Sequence, residues 1–486
     1  MVQRFGDQFS TNFFPVLRFE GEISDCEVLG EIPHDLRGTF YRLGGDWMYP
    51  PKFPLDAPFS ADGYISMFRF SNGHVDYKGR FVRTPRYLAN RKAQRQLFGI
   101  YRNRSTDEPA VRSVNGTVAN TTPVFHAGRL FATKEDARPI EIDPHTLETR
   151  GEWDFQGQYK SLTFTAHPKI DPVTGEMICF GFEATGEASK DVWVYFIDKS
   201  GRVTREVRLQ APYVSEMHDM AITRTHIVIP VFPLTTDKEW LAAGNTHWYW
   251  DERLPGYLCV LPRDGDAKDV QWIKGPPHAM GHTLNAATEG NRLVLDGTVS
   301  NANPYPFFPQ RNGTPWTPQT GGSTVRRWIV DLASKQDGWE EQHPFPMAPG
   351  GLPRIDDRFI AQPYRYGYMS YSDPTRPLDA RLATGRSFPM ANCLGRYDMK
   401  SGKLDTLFVG SDGSLQEACF VPKSGGAAEG DGYLVGVYSN LAENRSELIV
   451  VDAQRMQELA RVVLPFRIAD QVHGTWVPYE DLPFEA

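Results

Sequence analysis

Four histidines of this chain follow polar turns at nearly the same interval, although they are far apart in the sequence. The pairs are Asp143 with His167, 24 residues apart, Asp198 with His218, 20 apart, Arg263 with His282, 19 apart, and Asp452 with His473, 21 apart. In a radial repeat, residues at a common phase point towards a common axis. Four imidazoles that converge suit an Fe, Zn, Cu or Ni ion. The histidines therefore predict a metal site.

The number of histidines bears on the chemistry that such an ion could support. Four histidines on a six-coordinate metal leave two positions open, which suits dioxygen chemistry on Fe(II), whereas a closed tetrahedral zinc site leaves none. Histidines that bind metals normally donate their second N–H to a carboxylate or a carbonyl. Glu135 and Glu417 lie at positions that make them candidates for this role, and Gly351 occupies the equivalent place in another repeat.

The elements that would position these residues are short strands. Polar turns of the hairpin type lie between runs rich in Val, Ile, Phe, Tyr and Leu. They occur near Ser71, Asp143, Asp198, Arg263, Asp331, Asp398 and Asp452. A spacing of roughly 55–70 residues is that of a four-stranded blade with a long loop. The pattern predicts an all-β fold, a seven-bladed β-propeller, with loops and short helices that cap the active-site face.

Few segments have helical periodicity, and no linker divides the chain. We predict short helices only within RKAQRQLFGIYR and AQRMQELA. The absence of a low-complexity stretch predicts a single domain over residues 1–486.

Composition limits the classes of function. The 486 residues include 40% hydrophobic residues and carry a formal net charge of −8, and scattered basic residues disfavour a nucleic-acid partner. Five widely spaced cysteines favour a reduced cytoplasm over a disulfide framework. The sequence contains no run of about 18 apolar residues, so it predicts no membrane span. The N-terminus lacks the pattern of a signal peptide. We therefore expect a cytoplasmic protein.

Several motifs in order resemble the carotenoid cleavage oxygenase family over essentially the whole chain. The N-terminal motifs are IPHDLRGTFYRLGGD, FSADGYISMFRFSNGHV and NTTPVFHAGRLFATKEDARPIEIDPHTLET. The histidines lie in TAHPKIDPVTGE, MHDMAIT, GHTLNA and HGTWVP, and the last motifs are EACFVP, EGDGYLV and ELIVVDA. The resemblance implies a seven-bladed propeller that holds Fe(II) on its axis and uses O2 to split a carbon–carbon double bond into two carbonyl products.

The same resemblance implies roles for particular residues. The iron ligands would be His167, His218, His282 and His473. Glu135 and Glu417 match two of the three glutamates that usually support these ligands. Gly351 takes the place of the third, so we expect a water molecule or a backbone carbonyl to support His282 or a neighbour. Thr121 resembles a family residue whose methyl group crowds one open iron position.

Within the family, the chain most resembles bacterial lignostilbene dioxygenases. Phe59, Tyr101 and Lys134 carry this narrower resemblance. It implies that Tyr101 and Lys134 bind and polarise the 4-hydroxyl of a stilbene, and that Phe59 stacks on an aryl ring. Phe307, together with Phe308, would wall the other end. The partners implied are O2 and a small aromatic alkene, and a homodimer is possible.

Other readings stay open at this point. One is cleavage of a carotenoid or apocarotenoid by the same iron chemistry. Another is a propeller that binds a partner without catalysis, which the presence of all four histidines disfavours. A third is a calcium-dependent propeller hydrolase, which would require Asp, Asn and Glu on the axis in place of histidine.

Overall fold

The computed structural model describes residues 16–54, 56–317, 322–345, 351–383 and 390–484. Seven antiparallel sheets of four or five strands form the blades of a β-propeller within these ranges. The predicted all-β, seven-bladed fold is confirmed. Residues 1–15, on which the signal-peptide prediction rests, lie outside the described residues.

Strands β1 to β19 supply most of the first four blades. These are β1 (Gly21–Ile23), β2 (Glu27–Gly30), β3 (Gly38–Asp46), β4 (Asp62–Ser71), β5 (His74–Phe81), β6 (Thr122–His126), β7 (Arg129–Thr133), β8 (Ile140–Ile142), β9 (Thr149–Glu152), β10 (Lys169–Ile170), β11 (Met177–Phe182), β12 (Asp191–Ile197), β13 (Val203–Gln210), β14 (Ala221–Ile222), β15 (His226–Val231), β16 (Leu234–Thr235), β17 (Tyr249–Trp250), β18 (Gly256–Pro262) and β19 (Gln271–Gly275). Strand β1 is the outermost strand of the first blade, and β2 is the outermost strand of the last blade. Strands β16 and β17 form a separate two-stranded sheet.

The remaining blades are built from strands β20 to β32. These are β20 (Ala279–Glu289), β21 (Arg292–Ser300), β22 (Ser323–Asp331), β23 (Glu340–Gln342), β24 (Arg354–Ile355), β25 (Tyr366–Tyr371), β26 (Cys393–Asp398), β27 (Lys403–Phe408), β28 (Gly413–Pro422), β29 (Gly432–Asn440), β30 (Arg445–Asp452), β31 (Gln457–Val463) and β32 (Gln471–Pro478). Strand β32 pairs with β3, so the two ends of the chain complete one blade. This pairing closes the ring by placing the innermost strand of the first blade, β32, next to β3.

The seven polar turns all occupy the same place in their blades. Each one connects the third strand to the fourth, as in β4–β5, β12–β13 and β30–β31. After its fourth strand, the chain returns to the axis to begin the next blade. The common interval from turn to histidine therefore brings each histidine to the start of an innermost strand.

Helices are short and few in the described ranges. They are α1 (Pro85–Ala93), α2 (Lys238–Ala242) and α3 (Ala380–Ala383), with 3₁₀ turns at Pro58–Ser60, Arg104–Thr106, Pro109–Val111, Ala267–Asp269, Asp357–Phe359 and Tyr479–Asp481. Helix α1 begins where the Thr84 hydroxyl accepts a hydrogen bond from the backbone N–H of Tyr87. None of the described helices has the length and apolar character that crossing a membrane requires.

Both helix predictions require correction. RKAQRQLFGIYR includes only the last turn of α1, which ends before Gln94 in the left-handed region. AQRMQELA forms no helix, because its second half enters β31. That strand pairs with both β30 and β2, and Ala460 and Val462 enter the core. Sheet pairing and burial outweigh the weak helical propensity of this segment.

Closure of the ring depends on apolar packing between the first and last blades. Phe40 of β3 is fully buried in a cluster that also contains Val435 of β29 and Leu448 of β30. We predict that Phe40→Ala lowers the free energy of unfolding by about 3–5 kcal/mol, because it leaves a cavity in this cluster. Urea denaturation measures the change. Leu88→Ala, at a side chain that is 53% exposed, is the control and should shift stability by less than about 0.5 kcal/mol. Equal midpoints for both variants would contradict this account of closure.

Candidate metal centre and active site

The four histidines predicted from the sequence meet on the propeller axis. His167 and His218 lie just before β10 and β14, and His282 and His473 lie within β20 and β32. One nitrogen of each ring lies within 4.8 Å of the corresponding nitrogens of the others. The Nε2 atom of His218 is 3.3 Å from that of His167 and 3.0 Å from that of His282.

The state of these rings suits metal binding. Burial, followed by the repulsion of neighbouring imidazoles, lowers the pKa of His167 and of His282 well below the ordinary value. Both rings are therefore neutral and have a free lone pair. The Nε2 atom of His473 is buried and has no hydrogen-bond partner among the described residues. A nitrogen donor set of this kind fits a divalent transition-metal ion such as Fe(II).

Glu135 and Glu417 lie behind two of the rings, as the sequence predicts. Glu135 Oε1 is 2.7 Å from Nδ1 of His218, and Glu417 Oε1 is 2.8 Å from Nδ1 of His473. Such contacts set the tautomer, so that Nε2 is left for the metal. Burial raises the pKa of Glu417, but His473 and Arg354 outweigh it and hold that pKa below its usual value. Both contacts therefore involve ionised carboxylates, since Lys134 and His218 likewise lower the pKa of Glu135 against burial.

The backbone supports His282, where the family pattern has a glutamate. Burial and the neighbouring histidines lower the pKa of His282, and a hydrogen bond with the Gly351 backbone acts in the opposite direction. A glycine has no side chain to replace the carboxylate, so a main-chain group takes the role. This agrees with the expectation that a backbone carbonyl or water compensates for the missing side chain.

Glu216 is a second carboxylate at His218 that the sequence analysis missed. Its Oε1 atom is 3.3 Å from Nδ1 of His218, and its Oε2 atom has no hydrogen-bond partner among the described residues. Burial raises the pKa of Glu216. Its position two residues before His218 was the available signal, because alternate residues of an extended segment share a face.

Asp219 joins the segments that carry three of the ligands, and it was also missed. Its Oδ2 atom accepts a 2.7 Å hydrogen bond from the backbone N–H of Thr283, which follows His282. Its Oδ1 atom lies 2.9 Å from Nζ of Lys169, two residues after His167. The carboxylate thus ties β10 and β20 to the residue that follows His218.

Thr121 lies beside the metal centre through its backbone. Its carbonyl accepts a 3.2 Å hydrogen bond from the backbone N–H of His473, and its side chain is buried. The hydroxyl contacts the amide oxygen of Asn120 at 3.2 Å. Its effect on an open iron position stays a prediction.

The residues predicted to bind substrate lie together in one aromatic cluster, which is the predicted substrate pocket. The Phe59 ring lies 6.2 Å from that of Tyr101 and 4.8 Å from that of Phe307, measured between centroids. Tyr305, which the sequence analysis did not select, lies 5.7 Å from Phe59 and belongs to the same loop as Phe307. Phe308 is buried in the core cluster behind these rings.

Lys134 lies at the polar end of this pocket and is not a surface charge. Its side chain is 5% exposed, with Nζ 4.8 Å from the centre of the Phe59 ring and 5.1 Å from that of Tyr101. The nearest counter-charge is Glu135 Oε2 at 3.8 Å. Burial, and then the charge of Glu135, raise the pKa of Tyr101 well above its usual value, so its hydroxyl keeps its proton. The pocket therefore presents an ammonium group and a phenol.

Comparison with known proteins places the chain in a family. Residues 13–478 match the family described as RPE65, retinal pigment epithelial membrane protein, which is the carotenoid oxygenase family. The chain belongs to this family. The predicted membership is thereby confirmed, and the match includes all four axial histidines.

Its relatives include enzymes named for aromatic substrates. The chain is 38% identical over 475 residues to lignostilbene-alpha,beta-dioxygenase isozyme III of Sphingomonas paucimobilis, covering 97% of each protein. It is 41% identical over 465 residues to isoeugenol monooxygenase of Pseudomonas nitroreducens, covering 95% of this chain and 96% of that protein. The crystal structure of Pseudomonas brassicacearum lignostilbene dioxygenase matches with a TM-score of 0.94 at 40% identity, covering 97% of this chain and 98% of that one.

The contact between Glu417 and His473 generates a prediction about metal affinity. We expect Glu417→Gln to weaken Fe(II) binding by about 10–100-fold, the range for the loss of a carboxylate behind a histidine ligand. The amide also places a donor near Arg354 and the Gly474 N–H, which both point at Glu417. Anaerobic competition with a chromogenic chelator measures the affinity.

The matched control is Glu447→Gln, at another buried glutamate that pairs with Arg445 and Arg461 away from the axis. It should leave the affinity unchanged. A Glu417→Gln protein that binds Fe(II) as tightly as the parent would contradict the role of this carboxylate.

Proposed function

We propose that the chain is a non-haem Fe(II) dioxygenase that cleaves the central C=C bond of a 4-hydroxystilbene. The reaction consumes one O2 and gives two aromatic aldehydes, with one oxygen atom on each former alkene carbon. The observation that carries the proposal is the buried Lys134 ammonium beside Tyr101 in an aromatic pocket next to four converging histidines. The relatives named for lignostilbene support the same substrate class.

The residues that would hold the iron are His167, His218, His282 and His473. The bound Fe(II) would supply the activation of O2. Glu135 and Glu417 keep the Nδ1 protons of two ligands in place, so that their Nε2 atoms stay available.

The pocket residues orient and polarise the substrate. Lys134 and Tyr101 donate hydrogen bonds to the 4-oxygen, and the ammonium favours the phenolate form. Electron density then moves from the phenolate through the ring onto the alkene. Phe59 stacks on the aryl ring, and Phe307 with Tyr305 limits the far side of the pocket. Aromatic walls also exclude water from the alkene.

The polar end of the pocket disfavours a carotenoid substrate. A hydrocarbon polyene offers no acceptor for Lys134, so binding one would leave an ammonium buried without a hydrogen bond, which is costly. A 4-hydroxyphenyl ring satisfies the same group. The similarity to isoeugenol monooxygenase makes a single-ring phenylpropene the second candidate substrate.

An assay on the iron-reconstituted protein tests the function. The panel contains 4-hydroxystilbene, 4-methoxystilbene, isoeugenol and an apocarotenal, with O2 uptake and aldehyde formation as readouts. We expect one O2 per two aldehydes from 4-hydroxystilbene and far slower reaction of the methoxy compound, which cannot form a phenolate. Preferential cleavage of the apocarotenal would overturn the proposal, and preference for isoeugenol would select the second candidate.

The role of Lys134 can be separated from that of the metal. Lys134→Met keeps the apolar stem and removes the ammonium, so we expect turnover of 4-hydroxystilbene to fall by at least about 100-fold with iron content unchanged. Lys160→Met, at an exposed lysine whose Nζ contacts only the Gly157 carbonyl, is the control. Near-normal turnover in Lys134→Met would remove the phenolate role.

A further inference from the structure

A second cavity meets the four-histidine centre along the propeller axis. It has a volume of about 390 Å³, and its wall takes residues from the innermost strand of every blade, β6, β10, β14, β20, β24, β28 and β32. One end is formed by His167, His282 and His473. The other end includes Pro172 and Asp481, which are exposed to solvent. The cavity therefore connects the candidate metal centre with the surface.

This axial cavity is separate from the aromatic pocket. Phe59, Tyr101, Lys134 and Phe307 are all absent from its wall. In β32, the residues that follow His473 line the cavity as far as Pro478, and the exposed turn Tyr479–Asp481 comes directly after them. The aromatic pocket and the axial cavity thus approach the histidines through different residues.

The axial cavity has both apolar and ionisable lining residues and carries a slight excess of negative charge. Its ionisable lining groups are the acidic residues Asp219, Asp357, Glu417 and Asp481 and the basic residues Lys169, Arg354 and Arg358. The basic groups are all paired, with Lys169 on Asp219 at 2.9 Å, Arg354 on Asp357 at 3.3 Å and Arg358 on Asp356 at 2.6 Å. Asp481 at the mouth lies beside Glu480, and no basic side chain in the described ranges pairs with it.

The aromatic pocket is an unfavourable route for a cation. A hydrated divalent ion would have to lose water against Phe59, Tyr305 and Phe307, and desolvation of a charge without new ligands is costly. It would also have to pass the buried Lys134 ammonium, which repels it. Carboxylates along a cleft, by contrast, raise the local concentration of cations.

We infer that the axial cavity is the passage by which a divalent metal ion enters and leaves the four-histidine site. This inference rests on the proposed role of those histidines as metal ligands. It assigns a function to the mouth residue Asp481 and to the half-buried wall residue Thr475, neither of which belongs to the catalytic pocket. The aromatic pocket is left to the organic substrate.

The test measures metal uptake by the metal-free protein, without any turnover. Co²⁺ is mixed anaerobically with full-length apoprotein, and its ligand-field absorption reports the rate and the final stoichiometry. We expect Asp481→Asn to slow uptake at low ionic strength and Asp481→Lys to slow it further, by about tenfold, with less effect in high salt. Asp264→Asn, at an exposed aspartate on an outer turn, is the matched control.

Blocking each route in turn distinguishes metal entry through the axial cavity from metal entry through the aromatic pocket. Thr475→Trp should slow uptake strongly without changing the final stoichiometry, and Thr475→Val should not. Saturating 4-hydroxystilbene, in the absence of O2, should leave the uptake rate unchanged, because it occupies the other pocket. Uptake that is blocked by the stilbene and insensitive to the Asp481 variants, which alter only an exposed side chain, would overturn the inference.

Equilibrium binding distinguishes this failure from a failure of the proposed function. Apoprotein that binds no Co²⁺ even after long incubation would contradict the metal role itself, and the passage with it. The apoprotein could instead bind Co²⁺ normally at equilibrium while stilbene slows uptake and the Asp481 variants do not. That result would leave the metal role intact and would place the entry route in the aromatic pocket.

Discussion

The rest of the structure depends on four imidazoles that are held with their lone pairs towards one point. The Nε2 atom of His218 lies 3.3 Å from that of His167 and 3.0 Å from that of His282, a spacing at which these nitrogens can bind one metal ion. The propeller imposes this arrangement, because each ligand comes at or just before an innermost strand and each blade is locked to its neighbours by apolar packing. Buried carboxylates at two rings, and the backbone of Gly351 at a third, keep the unused nitrogens occupied. The four histidines therefore fit a metal ion.

Glu135 contacts both the four-histidine site and the Lys134 side chain. Glu135 contacts His218 through one oxygen and faces the Lys134 ammonium with the other. Lys134 and the four-histidine site thus share one buried carboxylate. This coupling explains why a lysine adjacent to Glu135 in the sequence can be stable in an aromatic environment. It also means that two adjacent residues, Lys134 and Glu135, connect the aromatic cluster with His218.

Much of the fold and of the metal centre could be predicted from the sequence. The seven hairpin turns mark the third-to-fourth strand connections, so the phase of the histidines followed from local turn chemistry. The interval from the Asp398 turn and the family resemblance both indicate Glu417, whereas the family resemblance and a position before the Asp143 turn indicate Glu135. The fold prediction is confirmed and the four histidines lie together, because a radial repeat converts sequence distance into spatial phase.

Other features could not be predicted in this way. Tyr305 lies in a long loop without periodicity, and its approach to Phe59 depends on tertiary packing. The helix predicted for AQRMQELA is wrong because the pairing of this segment with β2, more than 400 residues away, leaves no local signal. The roles of the site residues, the identity of the metal as iron, a single domain over the whole chain, a cytoplasmic location and a homodimer stay predictions.

The central claim is that one Fe(II) ion is bound by four histidine nitrogens at the hub of the propeller. X-ray absorption at the iron edge, on protein reconstituted anaerobically to one equivalent, measures this most directly. The account predicts one iron per chain with four imidazole nitrogens in its coordination sphere, and loss of one of them in His473→Ala. Iron surrounded mainly by carboxylate or water oxygens, with a spectrum that His473→Ala leaves unchanged, would contradict it.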